Sequence, residues 1–201
     1  MGKPLHKRTL CILDTETTGL DCDTQEIISF SGIKIIDGQR HLLDIKLKPD
    51  HIETASDKAL EINGYTAAGW LLGVSQEDGA KRIYDFLLDC IWVGHNIGFD
   101  KNFLMALFKR YDLDVGALGY HVIDTATLVY EHLAHLGLHR LSLKVACQML
   151  GVSNEGAHTA LADTVRCEKV FNKLMRAGLL TRLFWGMRWN WWVRTGKVVL
   201  D

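Results

Sequence analysis

TLCILDTETTGL, Thr9 to Leu20, is the stretch from which the rest of this chain is read. Leu10 to Leu13 is a short run of large apolar side chains, the composition of a buried strand. Asp14 and Glu16 follow two residues apart, and Thr17-Thr18-Gly19 then breaks the run. Side chains two apart on a strand share a face, so both carboxylates emerge side by side, roughly 6–7 Å apart along the strand. Like charges at that range repel unless a cation lies between them. An all-oxygen donor set suits a hard divalent ion such as Mg²⁺ or Mn²⁺. Taken alone, the pair fits equally well the solvated end of an ordinary strand. The remainder of the chain has to choose.

Downstream, Glu26 to Ile36 and His41 to Leu47 read as second and third strands joined through Asp37-Gly38, an antiparallel meander. Short strands at Ile91–Val93 and His121–Ile123 then alternate with helical patterns. The helices are expected over Thr54–Ile62, Ser75 to about Asp89, Phe99–Tyr111, Thr125–Leu136, Ser142–Leu150 and Thr159 to about Gly178. This order predicts an α/β protein, a mixed β-sheet flanked by helices, in one domain over residues 1–177. A separate tryptophan-rich segment, 178–201, follows it.

Bulk properties narrow the field. With 201 residues, 48% hydrophobic and 23% charged, the chain suits a packed domain, or a domain with a tail, and not a disordered one. A net charge of −1 leaves no positive footprint for sequence-blind duplex binding, so a nucleic-acid partner has to be gripped locally, through metals and stacking. The five cysteines are odd in number and show no CxxC spacing, which argues for buried reduced thiols. The basic start MGKPLHKRT is followed by no apolar signal core, and no run of about 18 apolar residues occurs. The expectation is a cytoplasmic protein without a membrane partner.

Three further residues carry chemistry. Asp100 starts a helix just after the strand Ile91–Val93 and a glycine-containing loop, at the sheet edge where sites in open α/β folds gather. By itself it is equally a helix-start acid favoured by the macrodipole. His158 and Asp163 are five apart in AHTALADT, about 140° around a continuous helix. They address one site only if His158 sits in the loop or first turn and Asp163 lies inside the helix.

LDTETTGL, GHNIGFDKNFL and HTALAD, in that order, resemble the three motifs of the DEDDh (DnaQ-like) 3′→5′ exonuclease family. That group includes the proofreading epsilon subunit of bacterial DNA polymerase III. The resemblance covers roughly Thr9 to Met175 and includes Ile62-Asn63-Gly64, Val122 to Thr125 and Leu141 to Gly151. It implies an RNase H-like fold and metal-dependent release of nucleoside 5′-monophosphates from nucleic-acid 3′ ends. It implies further that Asp14, Glu16 and Asp163 ligate one of two divalent ions, Mg²⁺ or Mn²⁺, and that Asp14 is shared with the second. Asp100 then holds that second ion, directly or through water, and His158 takes the proton of the attacking water. Thr17 and Thr18 match the stretch that holds the terminal nucleotide; Ile62, His95 and Phe99 match positions lining its pocket. Asn63 stands where the proofreading subunit has His, which alters sugar and base contacts and not the chemistry. Phe99 suits base stacking and core packing equally, and Asp124 is accounted for as a helix cap.

Single-stranded DNA is the expected substrate, as in proofreading or repair, with a DNA polymerase or other nucleic-acid-processing protein as partner. Trimming of RNA 3′ ends is the nearest rival. A non-catalytic interaction module is the rival of another class, and the intact set of five residues argues against it. Outside the resemblance, Trp185, Trp189 and Trp192 fall on one helical stripe. Leu179, Leu180, Leu183, Phe184 and Met187 surround them, interleaved with Arg182, Arg188, Arg194 and Lys197. So apolar a segment is expected to dock on the domain; a partner-docking or single-strand-binding helix is the other reading.

Overall fold

The structure is a computed structural model and describes residues 4, 7–154 and 158–195. The side chains of Leu179, Leu180, Arg182 and Trp192, and the whole of Lys197, lie outside the described residues.

β1 (Thr9–Thr17), β2 (Ile27–Ile36) and β3 (Gln39–Lys46) form an antiparallel meander. Asp37 and Gly38 turn β2 into β3, both at positive φ, 51° and 79°, the two-residue geometry whose twist matches the flanking strands. β4 (Cys90–Gly94) and β5 (Val122–Asp124) add in parallel, giving the order β3-β2-β1-β4-β5. β1 is therefore the middle strand, and both of its faces are covered. Cys11 and Leu13 point into a core with Phe30, Trp92, Leu104 and Phe108, shared with α2 (Gln76–Leu87) and α3 (Ile97–Arg110). Ile12 points the other way, onto Val93, Cys167 and Phe171, the last two carried by α6 (Ala160–Met175). A strand buried on both sides needs consecutive apolar residues, and Leu10 to Leu13 supplies them.

Caps fix several helix starts. Ser75 Oγ accepts from the Asp78 amide at 3.1 Å, and Asp124 Oδ1 accepts from the Ala126 amide at 2.9 Å. The second bond starts α4 (Thr125–Leu133). Among the boundaries that differ from expectation, three have a local cause. α1 (Asp57–Asn63) is separated by Ala55 and its cap Ser56 from a 3₁₀ turn at Ile52–Thr54, so no single helix runs from Thr54. α3 begins two residues early, because Asn96 takes the left-handed conformation (φ 64°) and turns the chain directly into it. α4 yields to a 3₁₀ turn at Ala134–Leu136 that Gly137 ends at φ 87°. α5 (Leu143–Leu150) closes on Gly151.

The last helix, α7 (Leu179–Arg194), lays Trp185 and Trp189 into a cluster with Val129, Leu133, Met149 and Leu150. Leu183, Phe184 and Met187, expected to be covered, are more than half exposed, as is Trp191. A helix lying on a surface buries one stripe, and the Trp185–Trp189 side occupies it. All five cysteines are free thiols. No described helix is long and apolar enough to cross a membrane.

Candidate active site

The alternation that buries Ile12 against α6 continues along β1, so Asp14 and Glu16 also face α6. That helix is capped by Thr159, whose hydroxyl accepts from the Ala162 amide at 3.3 Å. Thr164, fully buried, fastens its first turn to β2 by donating to the Ser31 carbonyl at 3.1 Å. Asp163, next to Thr164, is thereby held over β1. One carboxylate oxygen from each of Asp14, Glu16 and Asp163 lies within 4.8 Å of the others.

The two acids of β1 do not ionise freely in so small a space. Burial first, then the charges of Asp100 and Glu16, push the Asp14 carboxyl well above the usual carboxylate range, while Arg166 draws it back. Burial and Asp100 push Glu16 up to about 7. An arrangement of converging oxygens whose charged forms are mutually disfavoured fits a hard divalent cation. The cation that the chain itself places there is Arg166, only 5% exposed, which is ion-paired with Asp163 and donates from Nη1 to Asn154 Oδ1 at 3.0 Å. Sequence reading did not anticipate Arg166; its spacing of three from Asp163 on one helix was the available signal.

Asp100 lies in the first turn of α3 and stands outside the close trio. Its Oδ1 accepts from the Thr15 amide at 2.9 Å and the Thr15 hydroxyl at 2.7 Å. Burial nevertheless raises it to about 7 against those bonds. Thr15 was also unforeseen, since an isolated threonine in a strand carries no mark of a partner 85 residues away.

His158 occupies the bend before α6, exposed, with φ 69°. It lines a cavity of about 380 Å³ together with Glu16, Ile62 and Asn63. Asn63 ties the end of α1 to the end of β1: Nδ2 donates to the Thr17 carbonyl and Oδ1 accepts from the Tyr65 amide, both at 3.1 Å. The hydroxyls of Thr17 and Thr18 are engaged within the turn, the first donating to the Gly19 carbonyl and the second accepting from the Glu26 amide. His95 and Phe99 do not line that cavity. His95 contacts Thr125 Oγ1 at 2.9 Å and the Leu141 carbonyl at 2.6 Å, and it borders a different cavity with Asp124 and Tyr130. Burial lowers its pKa. Phe99 packs on Phe103 with ring centroids 4.9 Å apart.

A mixed five-stranded sheet whose central strand delivers acids to a facing helix is an RNase H-like fold of the DnaQ-like exonuclease type. The family model described as exonuclease matches residues 11–171, and the chain belongs to that family. It is 34% identical over 173 residues to a PolC-type DNA polymerase III of Mycoplasma genitalium, covering 83% of this chain and 11% of that one. It is 30% identical over 181 residues to a DNA polymerase III subunit epsilon-like protein of Rhodobacter capsulatus, covering 87% and 25%. Both are far longer than this chain. A ribonuclease T of Shewanella denitrificans is 29% identical over 182 residues, covering 80% of this chain and 77% of that protein. In fold, the chain matches E. coli exonuclease I in complex with a dT13 oligonucleotide. The TM-score is 0.73 at 18% identity, over 89% of this chain and 43% of that one.

Proposed function

We propose that this protein is a metal-dependent 3′→5′ exonuclease. It hydrolyses single-stranded DNA from the 3′ end and releases nucleoside 5′-monophosphates in the cytoplasm. The observation that carries this reading is the trio Asp14, Glu16 and Asp163, with His158 bordering the same cavity as Glu16. Asp14, Glu16 and Asp163 would hold one divalent ion, Mg²⁺ or Mn²⁺, and Asp14 with Asp100 a second. Bound there, such ions polarise phosphoryl oxygens and neutralise charge on the attacking and leaving oxygens.

The chain's own residues do the rest. Thr164 and Arg166 hold the first turn of α6 so that Asp163 meets β1. Thr15 fixes the Asp100 carboxylate. His158, placed ahead of the helix, accepts the proton of the attacking water, a step for which neutral imidazole is suited. Ile62 and Asn63 border the space beside Glu16 where the terminal nucleotide rests. The polymerase III relatives support a DNA polymerase or another nucleic-acid-processing protein as partner. A second reading, trimming of RNA 3′ ends, is favoured by the ribonuclease T relative, matched over most of its length.

The deciding experiment gives matched 3′-labelled single-stranded DNA and RNA to the protein with Mg²⁺ or Mn²⁺ and follows monophosphate release. Faster release from DNA is expected, abolished by chelator. Faster release from RNA selects the second reading. No release from either strand leaves an interaction module.

A further inference from the structure

We propose that Lys46, with Ser29 beside it, binds the backbone phosphate one nucleotide upstream of the scissile bond, so that the protein selects strands carrying charge at that linkage. The proposal rests on the 3′→5′ exonuclease reading and extends it to residues outside the motifs.

In the sheet register, Glu16 of β1 is opposite Ser29 of β2, and Ser29 is opposite Lys46 of β3. Directly opposed residues share a face, so these three form a row that leads from the acidic trio to the sheet's outer strand. Each step is about 4.7–4.9 Å. All three border the cavity that His158 also borders.

Lys46 is not a loose surface lysine. Its Nζ lies 3.9 Å from the centre of the Trp70 ring and donates to the Gly69 carbonyl at 3.1 Å. Trp70 is itself anchored: it is 6% exposed, its Nε1 donates to the Ile28 carbonyl at 2.6 Å, and its ring stands 5.0 Å from that of Tyr65. An ammonium has three donors, and the carbonyl takes one. The ring face holds the charge in place without accepting the rest. A pre-positioned cation that shares its face of β3 with Asp44, keeps donors beyond the Gly69 bond and borders a cavity acidic at its other end suits an anion that passes over the acids.

The substrate's chemistry identifies that anion. A 3′-terminal nucleotide carries the scissile phosphate on its 5′ side and a hydroxyl on its 3′ side. Lys46 stands two strands from Glu16, about 9–10 Å along the row, and its ammonium is held at Trp70 and Gly69. The next phosphate in the strand lies upstream.

The test compares an ordinary single-stranded oligonucleotide with one whose linkage immediately 5′ of the scissile phosphate is an uncharged methylphosphonate. Wild-type protein should show a KM roughly tenfold higher for the modified strand, the size of one charged hydrogen bond, with kcat within about twofold. Lys46→Ala should raise KM for the ordinary strand by the same factor and no longer distinguish the two, whereas Lys46→Arg should still distinguish them. The dependence of log KM on log salt should also fall by about 0.7 in Lys46→Ala, as for one lost contact to a single strand. Lys46 is exposed and its loss removes only one ring contact and one hydrogen bond, so melting temperatures should agree among the three proteins to within about 5 °C. Indifference of the wild type to the modification, full discrimination by Lys46→Ala, or a penalty on kcat alone overturns the proposal. A wild type that releases nothing from the ordinary strand overturns the exonuclease reading itself, and this proposal with it.

Discussion

On the α3 side of β1, Thr15 gives both its amide and its hydroxyl to Asp100, so that a buried carboxylate finds its donors within the fold. On the α6 side, one residue earlier and one later, Asp14 and Glu16 meet Asp163 across a few ångströms, with Arg166 as the neighbouring cation. The two faces therefore solve the same problem differently. One surrounds an acid with hydrogen bonds, and the other gathers acids around a space that suits an ion. The trio relies most on something from solution, whereas Asp100 meets an ion with one of its oxygens already held by Thr15.

The largest effect should come from removing a member of the trio. Asp14→Ala or Asp163→Ala should abolish nucleotide release, as chelator should in the wild type, while circular dichroism shows the fold retained. Turnover surviving in either variant would break the contrast between the faces. His158→Ala should come next, lowering kcat by about 10²–10⁴ while Mn²⁺ titration shows the ion still bound. A wild-type pH profile in that variant would make His158 a bystander.

Stability against pH sharpens the contrast further. Glu16 is raised from 4.5 to about 7 in the folded protein, so the folded state holds a proton that the unfolded state releases. Its contribution is complete below the ordinary carboxylate range and is lost as pH rises through about 7. In chelator, melts between pH 4.5 and 8 should lose on the order of a few kcal/mol from Glu16; Glu16→Gln should reduce that slope and leave the share of Asp14 and Asp100, and saturating Mn²⁺ should offset it. The smallest effect belongs to the other face. Thr15→Val removes one donor from Asp100 and should cost about 1–3 kcal/mol in a denaturant titration. A cost no greater than that of a surface substitution would mean that Asp100 does not depend on Thr15.

The parts of this molecule that sequence discloses are those governed by short-range rules. The run Leu10 to Leu13 discloses a doubly covered strand, Asp37-Gly38 a hairpin, and Ser75, Asp124 and Ser142 helix starts. Asp14 and Glu16 disclose a shared face because a strand repeats every two residues. Thr15 and the Asn63 tie escape that reading, since each acquires its role from a partner set by tertiary packing; Arg166 is marked only by its spacing of three from Asp163. α7 is divided. The spacing of Trp185 and Trp189 on one stripe discloses the side that is covered, whereas apolar residues lie all around the helix, so nothing marks Leu183, Phe184 and Met187 as bare.

The acidic trio also has a consequence for biosynthesis. Asp14 and Glu16 are translated early, and Asp163 only after β4, β5 and the helices between them. The parallel pairing of β1 with β4 likewise waits for a long loop to close. Chains are made from the N-terminus, and partly made domains lack their late elements. A nascent copy still tethered beside messenger RNA thus carries two acids of the trio and no third, and the proposed metal site is assembled only when α6 docks.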